Sequence, residues 1–181
     1  MVDPGGSPLE PDTKDWTWVL ERPCPDCGYD ASHVHEQDVA RLVSEATDPW
    51  PEVLARPDAA VRPDPATWSP LEYGCHVRDV CRLFDERLHL MLTEHDPTFA
   101  NWDQDETAVT ERYGEQEPHV VGREVVEAAG VLAARFAGVE GSWWERTATR
   151  SDGSRFTVLT LGTYGLHDLL HHLHDVGVAH P

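Results

Sequence analysis

The stretch LHDLLHHLHDV, residues 166–176, sets four histidines (His167, His171, His172, His174) among leucines. A neutral imidazole is both a metal ligand and a general acid–base group. It is a costly choice for a helix interior unless its ring nitrogens find partners. His167 and His171 lie four residues apart, which on a helix puts both rings on one face with Cβ atoms about 5–6 Å apart. Two imidazoles so placed can share one ion at a Zn–N distance of about 2.0–2.1 Å. A third ligand is expected from His76, which shares a helical face with Tyr73, Val80 and Leu83. Three imidazoles leave a fourth position open to water or substrate, the mark of a reactive centre. Asp168 and Asp175 are the carboxylates expected to orient the ring N–H groups from behind. His171 and His174 form an i,i+3 pair, so spacing alone does not force the ligand pair. His172 and His174 also suit a solvated helix C-terminus, where a positive ring meets the dipole.

Other residues could do chemistry too. PCPDCG places Cys24 and Cys27 as half of a zinc knuckle, with His33 and His35 near enough in sequence to complete it. The plain alternative is a prolyl turn carrying two reduced thiols. A redox dithiol would need a βαβ context that is missing here. Cys75 and Cys81 read as small core residues. HDLLH resembles the HExxH of zinc proteases, with Asp168 in place of the glutamate. The longer metzincin signature would need glycine at His174 and histidine at Gly177, which speaks against it. Arg150 and Arg155 flank an Asp-Gly turn, where pairing with nearby carboxylates is the first expectation and anion binding the second. Trp16, Trp18, Trp68, Trp143 and Trp144 read as core and loop anchors. Trp102 sits in an acidic stretch where it could shape a pocket mouth.

These side chains must be held by helices. EQDVARLVSEATDPWPEVLAR has helical apolar spacing, with a kink or break expected at Pro49 and Pro51. WSPLE gives an N-cap (Ser69), a proline at the first helical position and a capping-box Glu72, so a helix is predicted from Pro70 to about Glu94. An acidic irregular loop follows. A third long helix is predicted from Pro118 to Gly138, and a fourth from near Thr157 to Gly177, after a Ser-Asp-Gly turn between short extended pieces. The reading is all-α, a four-helix bundle with an N-terminal irregular extension. Residues 1–15 are expected to be a flexible tail, 16–35 a Trp- and Cys-containing extension, and 36–181 the bundle.

The 181 residues carry a formal net charge of -19, from 33 acids against 14 bases. Such a surface repels phosphate backbones and anionic headgroups, so neither nucleic acid nor membrane is an expected partner. A small-molecule substrate is, and a homodimer is left open. No leader pattern and no membrane-length apolar run are found, so a cytoplasmic protein with reduced thiols is expected. Lys14 is the only lysine, a bias that fits a high-GC genome.

WSPLEYGCHVRDV, followed far downstream by HDLLHHLHDV, resembles the DinB-like family of four-helix-bundle metalloproteins. The likeness covers roughly residues 36–177 and matches the family's single histidine and its HxxxH at His76, His167 and His171. It implies a divalent metal, zinc or nickel, held by those three. It also implies relatives that use a low-molecular-weight thiol, such as mycothiol-dependent maleylpyruvate isomerases and bacillithiol transferases. The function expected on that basis is thiol S-transfer or isomerisation of a small electrophile, with mycothiol as cofactor. The alternatives are a metal-activated hydrolase, with Asp79 or Asp168 as base, and a non-enzymatic metal-binding stress or interaction protein. The CPDC segment lies outside the resemblance.

Overall fold

The computed structural model describes residues 15–179, so the expected tail lies almost wholly outside the described residues. Four long helices form the bundle: α1 (Glu36–Thr47), α3 (Pro70–Thr93), α5 (Pro118–Ala137) and α6 (Val158–Asp175). Both α1 and α3 pack on α5 and on α6, so the order around the bundle is α1-α5-α3-α6. A short α2 (Trp50–Leu54) braces α5 and α3. Its separation from α1 at Asp48 is the break expected from the two prolines. Among the described residues no helix is long and apolar enough to cross a membrane.

Each bundle helix is started by local chemistry. At α3 the Ser69 hydroxyl accepts from the Glu72 N–H, and the Glu72 carboxylate accepts from the Ser69 N–H at 2.8 Å. Glu72 is buried and also receives the Arg62 guanidinium, so the cap is tied to the preceding loop. At α6 the Thr157 hydroxyl accepts from the Thr160 N–H at 3.1 Å. The other end of α6 closes in a Schellman motif: Gly177, at φ +72°, and Val178 donate back to His174 and Leu173. Inward-facing residues such as Val39, Val80, Leu88, Val125, Leu161 and Leu169 are essentially fully buried. Each contributes about 1.5–3 kcal/mol of transfer free energy.

The connections contain more structure than the sequence pattern implied. β1 (Thr98–Phe99) pairs in parallel with β2 (Thr147–Arg150), which pairs antiparallel with β3 (Arg155–Thr157) across the expected Ser-Asp-Gly turn. The acidic stretch is therefore not simply a loop. It holds β1 and a helix α4 (Gln104–Thr110), capped by Asp103 accepting from the Glu106 N–H at 2.8 Å. β3 runs directly into α6, which places the sheet at the N-terminal end of that helix.

Two glycines let α6 lie close to its neighbours. A Cβ on Gly165 would stand 2.8 Å from Cδ1 of the Phe84 ring on α3, and one on Gly162 would stand 3.0 Å from Val39 on α1. Gly130 on α5 has open space around it. The two sites predict opposite signs in chemical denaturation. Gly165→Ala should lower stability by about 1–3 kcal/mol through overpacking, despite its better helix propensity. Gly130→Ala should raise it by up to about 1 kcal/mol.

Candidate metal centre

The chemistry of α6 comes from two i,i+4 pairs that are one residue out of phase. His167 and His171 form one pair, Asp168 and His172 the other, and successive residues on a helix are turned by about 100°. The pairs therefore face different neighbours. Asp168 and His172 look toward α3 and join His76, and the three offer ligand atoms that all lie within 4.8 Å of one another. His167 and His171 look toward the extension and join Cys24 and Cys27 within the same limit.

The first group sits against aromatic walls. His76 is fully buried, stacked on Trp102 at 5.3 Å and packed on Trp68 at 5.5 Å. Its Nε2 lies 3.1 Å from Asp168 Oδ1, and its Nδ1 has no hydrogen-bond partner among the described residues, so the aromatic packing and the Asp168 contact together orient the ring. His172 Nε2 lies 3.6 Å from the same carboxylate oxygen. Its Nδ1 is held by Asp175 at 2.8 Å, an arrangement that fixes the tautomer and turns Nε2 toward Asp168. Two donors on one ion at about 2.0–2.1 Å each stand about 3–3.5 Å apart. The separations seen here match that spacing, so the donor set fits a divalent cation. Desolvation works against the Asp168 carboxylate, but the imidazoles of His76, His172 and His167 outweigh it and hold its pKa below the ordinary value.

The second group is more enclosed: Cys24, Cys27 and His167 are all buried. Cys24 Sγ lies 3.7 Å from His171 Nδ1. Burial pushes the Cys27 thiol up to about 11 and the His167 imidazole down to about 4. His171 is lowered for the same reason.

The expected triad is thus split. His76 groups with Asp168 and His172, while His167 and His171 group with the cysteines. The HxxxH pair drew the eye because paired imidazoles are the commoner signature, yet the pair turned toward α3 is the DxxxH one residue later. Asp168, expected behind a ligand, is itself one of the three grouped donors, and Asp175, expected behind a ring of the His167–His171 pair, bonds His172. The knuckle is regrouped too. The His33 side chain is 83% exposed and sits near Asp30, and His35 caps α1. His174 is exposed, as the solvated reading had it. Asp79, one of the two expected bases, is committed to Arg78 and to the Tyr113 hydroxyl at 2.6 Å.

Two adjoining cavities meet at the first group. One, of about 350 Å³, is lined by Trp16, Trp68, Tyr73 and His172 among others. The other, of about 410 Å³, is lined by Phe84, Arg87, Trp102 and Arg150 among others. Trp16, Asp105, Tyr164 and Asp168 border both, so the ligand carboxylate lies at their junction. Trp102 lines the wall of the second cavity. Arg150 and Arg155 pair with carboxylates as expected, Asp152 at 2.7 Å and Asp96 at 3.2 Å. The unforeseen residue is Arg87. It is buried between Phe84 and Phe99, donates Nη2 to Ala100 O at 3.0 Å, and leaves Nε without a partner. Burial, together with Arg150, lowers it to about 10.

No family model matches the chain, and no curated protein matches it. Among solved structures it superposes on YfiT from Bacillus subtilis, described as "a probable metal-dependent hydrolase with an unusual four-helix bundle topology". The TM-score is 0.68 at 16% identity, covering 78% of this chain and 85% of that one. At that identity the likeness shows the fold alone, a four-helix bundle.

The bond from His172 to Asp175 generates a test of the donor set. Asp175→Ala should weaken metal binding at the His76 group by about 10–100-fold, measured by competition with a chromophoric chelator. The circular dichroism of the helices should be unchanged.

Proposed function

We propose that the chain is a metal-dependent hydrolase of a small anionic molecule, with a divalent ion held by His76, Asp168 and His172. The observation that supports this most directly is the convergence of two imidazoles and one carboxylate, from α3 and α6, with Asp168 bordering two cavities and His172 lining one of them. A divalent ion with three protein ligands supplies Lewis acidity and lowers the pKa of a water in its remaining position. The description of YfiT as "a probable metal-dependent hydrolase" agrees with this reading.

The chain's own residues account for the rest. His76 is fixed by Trp102 and Trp68, and His172 by Asp175, so the donors are organised before the ion arrives. Trp16 and Trp102 give the cavities an aromatic wall. Arg87 gives the substrate class. A guanidinium held in an apolar slot beside the cavity, with no carboxylate bonded to it among the described residues, is a strong anchor for a carboxylate or phosphate. Arg150 next to it is already neutralised by Asp152, so one anionic group is the natural complement.

Transfer of a low-molecular-weight thiol, which the sequence resemblance implies, would use the same centre with sulfur in the open position. One experiment separates the two. Zinc- or nickel-loaded protein is assayed against chromogenic esters with and without a carboxylate, and separately with mycothiol and a small electrophile. The expected result is ester hydrolysis that His172→Ala reduces by about 100-fold or more. Arg87→Met should raise KM for the carboxylate-bearing ester about tenfold or more, with little change for the neutral ester. Turnover only with thiol present would replace hydrolysis by transfer. No turnover in either arm would leave a metal-binding protein without chemistry.

A further inference from the structure

We propose that Cys24, Cys27, His167 and His171 form a second metal site, a closed tetrahedral zinc centre that fastens the N-terminal extension to α6. It uses none of the residues of the hydrolytic centre and stands whether or not that reading holds.

Four donors of the right kind meet here. Two ligands of one tetrahedral zinc, with Zn–S of about 2.3 Å and Zn–N of about 2.0–2.1 Å, stand about 3.5 Å apart. The observed separation of Cys24 Sγ and His171 Nδ1 is 3.7 Å, and all four ligand atoms lie within 4.8 Å of one another. Thiolate and imidazole donors select zinc over magnesium or calcium. Four protein ligands leave no open position, so this is a structural site rather than a second reactive one.

The loop is shaped to present both sulfurs together. Cys24 N–H donates to Tyr29 O at 2.8 Å, and Gly28 N–H donates back to Cys24 O at 2.9 Å. Gly28 reverses the chain at φ +77°, a conformation that glycine adopts without strain. The Tyr29 N–H is turned toward the Cys27 thiol, the contact that favours a thiolate. The Tyr29 hydroxyl then bonds Thr163 O at 2.8 Å and pins the turn against α6.

A separate observation points to a ligand. His167 is only 4% exposed, and its Nε2 has no hydrogen-bond partner. A buried polar nitrogen without a partner is destabilising, and coordination removes that cost. On binding, both thiols lose their protons to solvent. The two thiolates then balance the charge of the dication, so the buried centre is neutral.

Zinc K-edge absorption on the full-length, zinc-loaded protein reads the first shell directly. The proposal expects sulfur scatterers at about 2.3 Å beside nitrogen. Cobalt substitution should give a sulfur-to-metal charge-transfer band and the intense visible bands of a tetrahedral ion. His76→Ala should remove one ion per chain and keep the band. Cys24→Ser combined with Cys27→Ser should remove the other ion and abolish it. Should that double variant fail to fold, His171→Cys serves in its place: it keeps four soft ligands and should retain the ion with a stronger band. A first shell of nitrogen and oxygen alone, a Cys24–Cys27 disulfide in zinc-loaded protein, or a charge-transfer band that survives loss of both cysteines would overturn the proposal.

Discussion

The rotational phase of α6 about its own axis is the constraint on which both groups of donors depend. HDLLHH holds donors on two neighbouring faces, and a rotation of about 100° would turn one set to the place of the other. That phase is set by contacts with no chemistry of their own. Phe84 occupies the space where a side chain on Gly165 would be, and Val39 and Phe136 do the same at Gly162. Tyr29 bonds the carbonyl of Thr163 from the opposite side. The capped start at Thr157 and the Schellman end at Gly177 leave no spare turn at either end. Apolar packing therefore decides which histidine faces which partner.

Charge is arranged against the trend of the surface. The chain is strongly acidic, yet buried arginines stand at its inner joints. Arg78 illustrates the structural use: it bonds Asp79, Glu124 and Gln116, so every charge in that knot has an opposite within reach. Arg87 differs, because its neighbours are the aromatic rings of Phe84 and Phe99 and a carbonyl. A cation kept in such surroundings without an acid beside it is expensive to maintain, and in a protein with 33 acids a carboxylate was readily available. That contrast is why Arg87 is assigned to an incoming anion rather than to the fold.

The legible parts of the sequence were the local ones. Ser69, Pro70 and Glu72 announce α3 because the cap uses atoms only three residues apart, and Pro49 and Pro51 break the first helix for an equally local reason. Asp103 and Glu106 carried the same kind of signal for α4, but the surrounding acidity masked it, and that helix buries no residue. β1 was invisible because its only partner, β2, lies some fifty residues downstream. The site was half legible. The residue types and the two helices were readable. Which i,i+4 pair faces α3 was not, since Asp168–His172 and His167–His171 have equal spacing. The partner of the CPDC turn was equally hidden, because the nearest histidines in sequence, His33 and His35, are not the nearest in space.

The extension is therefore better regarded as a wall of the site than as an appendage. Trp16 packs on His167 and His171 at 5.6 and 5.4 Å and lines both cavities, and Asp26, inside the CPDC turn, lines one of them. Asp175 links the two groups: it bonds His172 Nδ1 at 2.8 Å and stands 3.9 Å from His171 Nε2. His171 and His172 are adjacent in the chain, so a tether that fixes the first restricts the second through one peptide and a shared carboxylate. Order in the extension is transmitted in this way to the His172 ring of the His76 group. His76 has no need of such help, being enclosed by Trp68 and Trp102. The two donor groups are thus chemically distinct but mechanically one, with α6 as the shared member.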